Sequence, residues 1–130
     1  MCPVYINRIA SIHAESSNEK PYFSAQEPDY KEMITNANLR RRMSRMIKMG
    51  VACGLECLKD ISPEKVDAII TATGLGCLAD TEKFMNALMD NREQMPNPTA
   101  FIQSTFNTIG AQIALLLKIH AYNVTYVHRG

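Results

Sequence analysis

Four cysteines, three histidines and one glycine-rich turn are the residues here whose types could do chemistry. The turn, Gly74-Leu75-Gly76-Cys77-Leu78-Ala79, follows an apolar stretch and precedes a helical one, so it nominally matches the G-x-G-x-x-A arrangement that brings a dinucleotide pyrophosphate to a helix N-terminus. That arrangement also needs a second strand ending in an acidic residue about 20 positions on. Here the stretch is helical and then reads Asn-Arg-Glu-Gln-Met-Pro, so a structural turn, or a loop lining another pocket, is the better reading. Cys53 and Cys57 stand four apart, one helical turn, and could face a metal together. His13, His120 and His128 supply no paired ligand signature beside them, so they read as buried small hydrophobes. Cys77, at the end of the turn, is the cysteine best placed for a passing ligand, with no local histidine to activate it. Neither a cofactor nor a metal is expected.

These residues need elements to hold them. Val4 to His13 alternates, with Val4, Ile6, Ile9 and Ile12 apolar, and predicts an opening strand. Glu15 to Tyr30 is polar, carries Pro21 and Pro28, and reads as a surface excursion. Leu39, Met43, Met46, Gly50, Cys53 and Cys57 step by four and three, which predicts one long helix from about Ala37 to Asp60. Its small residues Gly50, Ala52, Cys53 and Gly54 imply close packing on a sheet or a neighbouring helix. Ser62-Pro63 restarts the chain, and Val66 to Thr73 reads as a buried parallel strand. Asp80 is the expected cap of a helix from Thr81 to about Asn91, with Phe84, Ala87 and Leu88 inward and Arg92 to Pro98 as linker. Asn97 and Pro98 then open a helix whose apolar positions run from Phe101 to Ile119, buried on most faces. Val124 to Val127 is β-branched and aromatic, a final strand. The order predicts an α/β layered fold, a mostly parallel sheet covered by helices.

The 130 residues make one domain or part of one. A net charge of +1 with mixed signs gives no global case for nucleic acid or an anionic membrane. The start of the chain lacks a signal-peptide layout and the longest apolar run is too short to span a bilayer, so a soluble, cytoplasmic protein with reduced thiols is expected. Arg40-Arg41-Arg42 with Arg45 and Lys48 forms a basic patch that could dock an acidic partner, although a solvated helix face is the simpler reading. Met43, Met46 and Met49 read as core filler.

Three ordered stretches resemble the N-terminal half of β-ketoacyl-acyl carrier protein synthases. They are Arg41-Arg42-Met43-Ser44-Arg45-Met46 leading into a small-residue helix, the turn Ala72-Thr73-Gly74-Leu75-Gly76, and Phe101-Ile102-Gln103-Ser104-Thr105-Phe106-Asn107 followed by Gly110-Ala111-Gln112-Ile113-Ala114. The resemblance implies a partial thiolase-like fold, the N-terminal part of that fold's first half, with residues 1–130 as a fragment of a longer protein. It also implies that Gly74, Leu75, Gly76 and Cys77 line the acyl-chain pocket, and that Ser104, Asn107, Val124 and Tyr126 lie at a dimer interface. Arg41 and Arg45 would dock acyl carrier protein. The partner would be a second copy, or a catalytic synthase subunit in a heterodimer. In that family the strand matching Asn123 to His128 leads to a nucleophilic cysteine, and two histidines of the second half assist condensation. Gly130 falls here at or next to the cysteine position, and glycine cannot attack a thioester. The resemblance therefore implies a segment that is catalytically incompetent as it stands, in fatty acid, polyketide or aryl-polyene-type chain elongation, its parent either a synthase whose cysteine lies further on or, as the bulky His128-Arg129 favours, a chain-length-factor-like relative. The family's Ala-Gly pair appears reversed as Gly110-Ala111, which puts the local packing in question. A small self-associating interaction domain without chemistry is the alternative.

Overall fold

Small polar side chains set where the helices begin. In the computed structural model, which describes residues 3–14, 25–94 and 96–128, Asp29 caps α1 (Tyr30–Met33) and Asn36 caps α2 (Ala37–Arg42). Ser44 caps α3 (Arg45–Cys57), its Oγ accepting from the Ile47 amide. That cap divides the single helix expected over Ala37–Asp60 in two, because the hydroxyl competes with the ladder and Met43 turns extended with its side chain buried. The apolar stripe is divided as well. Met43, Ile47 and Val51 go inward, whereas Met46 is exposed.

A 3₁₀ turn (Pro63–Lys65) leads into β1 (Ala68–Thr73). Next comes α4 (Leu78–Asp90), which starts at Cys77 instead of Asp80: no side chain caps it, and Asp80 sits buried in its first turn. On its expected inner face Phe84 and Leu88 are half-buried and Ala87 is exposed. Asn97 caps α5 (Pro98–Ser104), accepting from the Thr99 and Ala100 amides. The chain then turns by 108° into α6 (Thr108–Leu117), so the one long helix expected from Pro98 is two. Thr105 and Thr108 make the corner by donating their hydroxyls to the Ile102 carbonyl, with 2.9 Å between the two oxygens. Nor is the pair buried all round, for Phe101, Ile102 and Leu115 are exposed. No single helix among the described residues is long and apolar enough to cross a membrane, and only the bent α5–α6 pair passes that test jointly.

The chain closes with β2 (Tyr122–Val127), two residues earlier than the pattern predicts, parallel to β1 in the register Ala68 to Tyr122 through Thr73 to Val127. Thr71 and Thr125 join their hydroxyls across the pair at 2.6 Å. A parallel pair needs a crossover, and α4, α5 and α6 supply it. α6 lies on one face of the sheet, where a Cβ at Gly110 would come within 2.8 Å of Asn123 Oδ1. The Gly110-Ala111 order is thus fitted to this packing, glycine buried against the sheet and alanine exposed.

On its other side α6 meets α3. Gly50 abuts Ile109 and Gly54 abuts Ile113, which is the close approach the small residues imply. Ile34, Met43, Ile47, Val51, Ile69, Cys77, Ile113 and Ile119 form the core between these layers. Alternation leaves Ala68, Ile70, Ala72, Tyr122, Val124 and Tyr126 on the opposite sheet face, with Ile70 and Tyr122 each 65% exposed.

The opening segment is not a strand. Residues 3–13 run unpaired, Val4, Ile6 and Ile9 are exposed, and an isolated bridge joins Ala14 to Ala25. Alternation supplies a face but not a partner, and no described strand runs beside this segment. It is tethered instead over the end of α3, where the Arg8 guanidinium donates to the Lys59 carbonyl at 2.5 Å. Most of the expected excursion Glu15–Tyr30 lies outside the described residues.

Candidate acyl pocket and docking face

Both strands deliver their carboxyl ends to one edge, the usual place for a ligand site in a parallel sheet. His128 N donates to Thr73 O at 3.1 Å, holding the end of β2 against the start of the glycine turn. Thr73 Oγ1 accepts from Gly76 N at 2.8 Å and folds the turn back. Gly76 has φ +60°, and the Phe106 ring lies against its Cα, where a Cβ would overlap it. Gly74 needs no such freedom. The backbone then enters α4, whose Thr81 hydroxyl donates to Cys77 O at 3.2 Å and to Ser104 O at 3.0 Å, linking turn, α4 and α5.

Beside the turn is a cavity of about 340 Å³, walled mainly by Met46 and Met49 of α3 and by Leu75, Gly76, Cys77 and Leu78. Gly74 is not in the wall; it faces the end of β2. Two of the methionines read as core filler thus line a cavity instead. Cys77 is 2% exposed. A helix N-terminus favours a thiolate, but burial, and secondarily the Asp80 carboxylate, push the Cys77 thiol up. Burial also pushes Cys53 up, with Cys57 adding to it. In the folded chain Cys77 should resist iodoacetamide at neutral pH and label only when denaturant is added. Mass-spectrometric timing of alkylation checks this, and labelling as fast as that of Cys57 would refute it.

Among the described residues no three His, Cys, Asp or Glu side chains are grouped to hold a metal. His13 Nδ1 lies 3.3 Å from Ser11 Oγ, away from the strand ends.

The basic patch is divided by the break between α2 and α3. Arg41 and Arg42 line a groove of about 210 Å³ with Lys83 of α4, and the buried Asp80 also lines it. Arg40 turns away and donates to Ile34 O. Arg45 lines the methionine-walled cavity, its Nε 2.5 Å from Glu27 Oε1. Arg41 and Arg45 therefore line two adjoining hollows that share Asp80, and Arg42 and Lys83 join Arg41 in its own. Only Arg42 is adjacent in sequence; nothing local brings Lys83 there.

Of the residues assigned to an interface, Val124 is half-buried and Tyr126 is 60% exposed, both on the uncovered sheet face. Among the described residues the outer edge of β2 pairs with no strand. Ser104 and Asn107 bracket the α5–α6 corner, the Ser104 hydroxyl donating back along its own helix to Phe101 O. Gly130 lies outside the described residues.

Residues 13–125 match the family model described as beta-ketoacyl synthase, N-terminal domain. No curated protein sequence gives a significant match. Among solved structures, the chain is similar to one from the ketosynthase ApeO in complex with its chain length factor ApeC from Xenorhabdus doucetiae, with a TM-score of 0.60 at 22% identity. The alignment covers 82% of this chain and 41% of that one, so the chain spans about two fifths of its matched relative. The shared α/β arrangement, helices against a parallel pair, is a partial thiolase-like fold.

Proposed function

The chain belongs to the β-ketoacyl synthase family, whose N-terminal domain it carries, and on that premise we propose that residues 1–130 are the opening segment of a 3-oxoacyl-acyl carrier protein synthase homologue in acyl-chain elongation. Its parent is a non-catalytic, chain-length-factor-like subunit that pairs with a catalytic synthase, in fatty acid, polyketide or aryl-polyene-type synthesis. One observation carries this reading: β2 runs into Val127-His128-Arg129-Gly130, bulky and charged where active members are small and supply a cysteine. The match to a chain from a ketosynthase and chain-length-factor complex supports the pairing.

The proposed roles follow the geometry. The methionine-walled cavity beside Gly76 receives acyl chain, with Leu75 and Cys77 in its wall, and Gly74 sets the turn's entry from β1. The free edge of β2, with Val124 and Tyr126 on its open face, meets the partner subunit, because an unpaired edge recruits a strand. Ser104 and Asn107 flank that contact. Acyl carrier protein, being acidic, docks at the groove of Arg41, Arg42 and Lys83.

Reading the coding sequence past Gly130 tests the assignment. A frame that continues without a cysteine in the next few codons supports the non-catalytic subunit; a cysteine there makes the parent an active synthase. A stop codon overturns both and favours the self-associating interaction domain. In the parent protein, combining Arg41→Glu with Lys83→Glu should weaken carrier binding about tenfold or more near 0.1 M salt, since each reversal turns an attraction into a repulsion. Calorimetric titration with acyl carrier protein measures it, and unchanged affinity would reject the groove.

A further inference from the structure

Arg45 already holds a carboxylate. Glu27 Oε1 sits 2.5 Å from its Nε, and the Tyr30 hydroxyl donates to Glu27 Oε2 at 2.7 Å, so both carboxylate oxygens are engaged. The Tyr30 hydrogen bond, followed by Arg45, holds the Glu27 carboxyl below its ordinary range; it stays charged at neutral pH. Burial, followed by Glu27, pushes the Tyr30 phenol up, so it remains a donor. The contact is thus a complete acid-recognition unit made within one chain.

The segment bearing it is held at its ends and lies over a hollow. Gln26 N donates to His13 O at 3.3 Å, and Ile34, 1% exposed, anchors the far end in the core. Between them, residues 26–33 span a cavity of about 560 Å³ bounded below by Ile12, Cys53 and Glu56. Lifting the Gln26–Asp29 part of this strap would break the Glu27 pair while Met33 and Ile34 stay packed on the core. The Arg45 side chain keeps 64% of its surface exposed, and α3 begins there, directly after the α2 end that carries Arg41 and Arg42.

We propose that the strap of residues 26–33 is an autoinhibitory contact in which Glu27 occupies Arg45 as a stand-in for an acidic partner, so that carrier protein gains Arg45 only by displacing Glu27. The proposal rests on the docking reading above and adds its regulation. Arg41, Arg42 and Lys83 are the cations first open to the partner, and Arg45 the one it must win. The competition is modest, because an exposed ion pair is partly screened.

The test is calorimetric titration of the full-length protein with acyl carrier protein, using Glu27→Gln, Tyr30→Phe and Arg45→Glu. Glu27→Gln should tighten binding about two- to fivefold, the range a surface ion pair commands. Tyr30→Phe should act in the same direction by less, and Arg45→Glu should weaken binding. If Arg45→Glu weakens binding while Glu27→Gln leaves it unchanged or weaker, docking stands and the strap proposal is overturned. If neither Arg45→Glu nor the Arg41→Glu/Lys83→Glu pair alters binding, the docking reading is wrong and the proposal is overturned with it.

Discussion

Replacing Gly76 by valine should cost this chain about 2–4 kcal/mol. Two costs combine. A β-branched residue forced to a positive φ loses about 1–3 kcal/mol, and displacing the Phe106 ring, which is itself 47% exposed, adds about 1 kcal/mol. Total stabilities lie near 5–15 kcal/mol, so the variant should lose a large share of its stability. Urea denaturation followed by circular dichroism reads the loss. Adding Phe106→Ala should return the steric part and leave the backbone part. Gly74→Ala, where the nearest atom to a new Cβ is His128 O at 3.5 Å, should shift stability by less than about 1 kcal/mol. If Gly76→Val proved as mild as Gly74→Ala, the turn would not have this conformation and the cavity beside it would lose its wall.

A second large effect is expected where α3 crosses α6. Ile113 is 5% exposed and abuts Gly54, so Ile113→Ala should cost about 2–5 kcal/mol by loss of buried surface and creation of a cavity. Gly54→Val meets the same isoleucine from the other side and should cost about 1–3 kcal/mol by overpacking. Because each change removes the other's problem, the double variant should be more stable than the sum of the single losses by at least about 1 kcal/mol. Chemical denaturation of all four proteins closes the cycle. Strict additivity would mean that the two helices do not meet at Gly54.

The sequence reading succeeded in placing a parallel strand and a close helix crossing, though not in burial: β1 starts two residues after Val66, and only Ile69 in it is buried. Ala68–Thr73 is β-branched and apolar and forms a strand, and Gly50 and Gly54 announce a close helix crossing. It failed where a hydrophobic repeat continued across a backbone break. Ser44 and Thr105 both lie within unbroken helical periodicity, yet each spends its side chain on the backbone and turns the chain. Residues 3–13 failed for another reason: alternation records which side chains are apolar, and pairing depends on a neighbour that alternation cannot name. The pocket turn was legible because Gly74-Leu75-Gly76 is a local motif. The groove was only half legible, since Arg41 is in the basic run but Lys83 reaches it through the packing of α4. Glu27 gave no signal at all, because nothing in its surroundings in sequence points to Arg45, eighteen residues away.

The parallel register has a consequence for how the chain is made. Ala68 pairs with Tyr122, and every rung of the ladder joins residues the same long interval apart. β1 must therefore leave the ribosome and wait while α4, α5 and α6 are synthesised before its first interstrand hydrogen bond can form. Closing so long a loop takes entropy before any contact repays it, so the sheet is the late, slow event of folding and the helices are the early ones. Throughout that interval Ile69 and Ile70 are an uncovered apolar strand. During synthesis β1 is thus most vulnerable to wrong pairing just before β2 emerges.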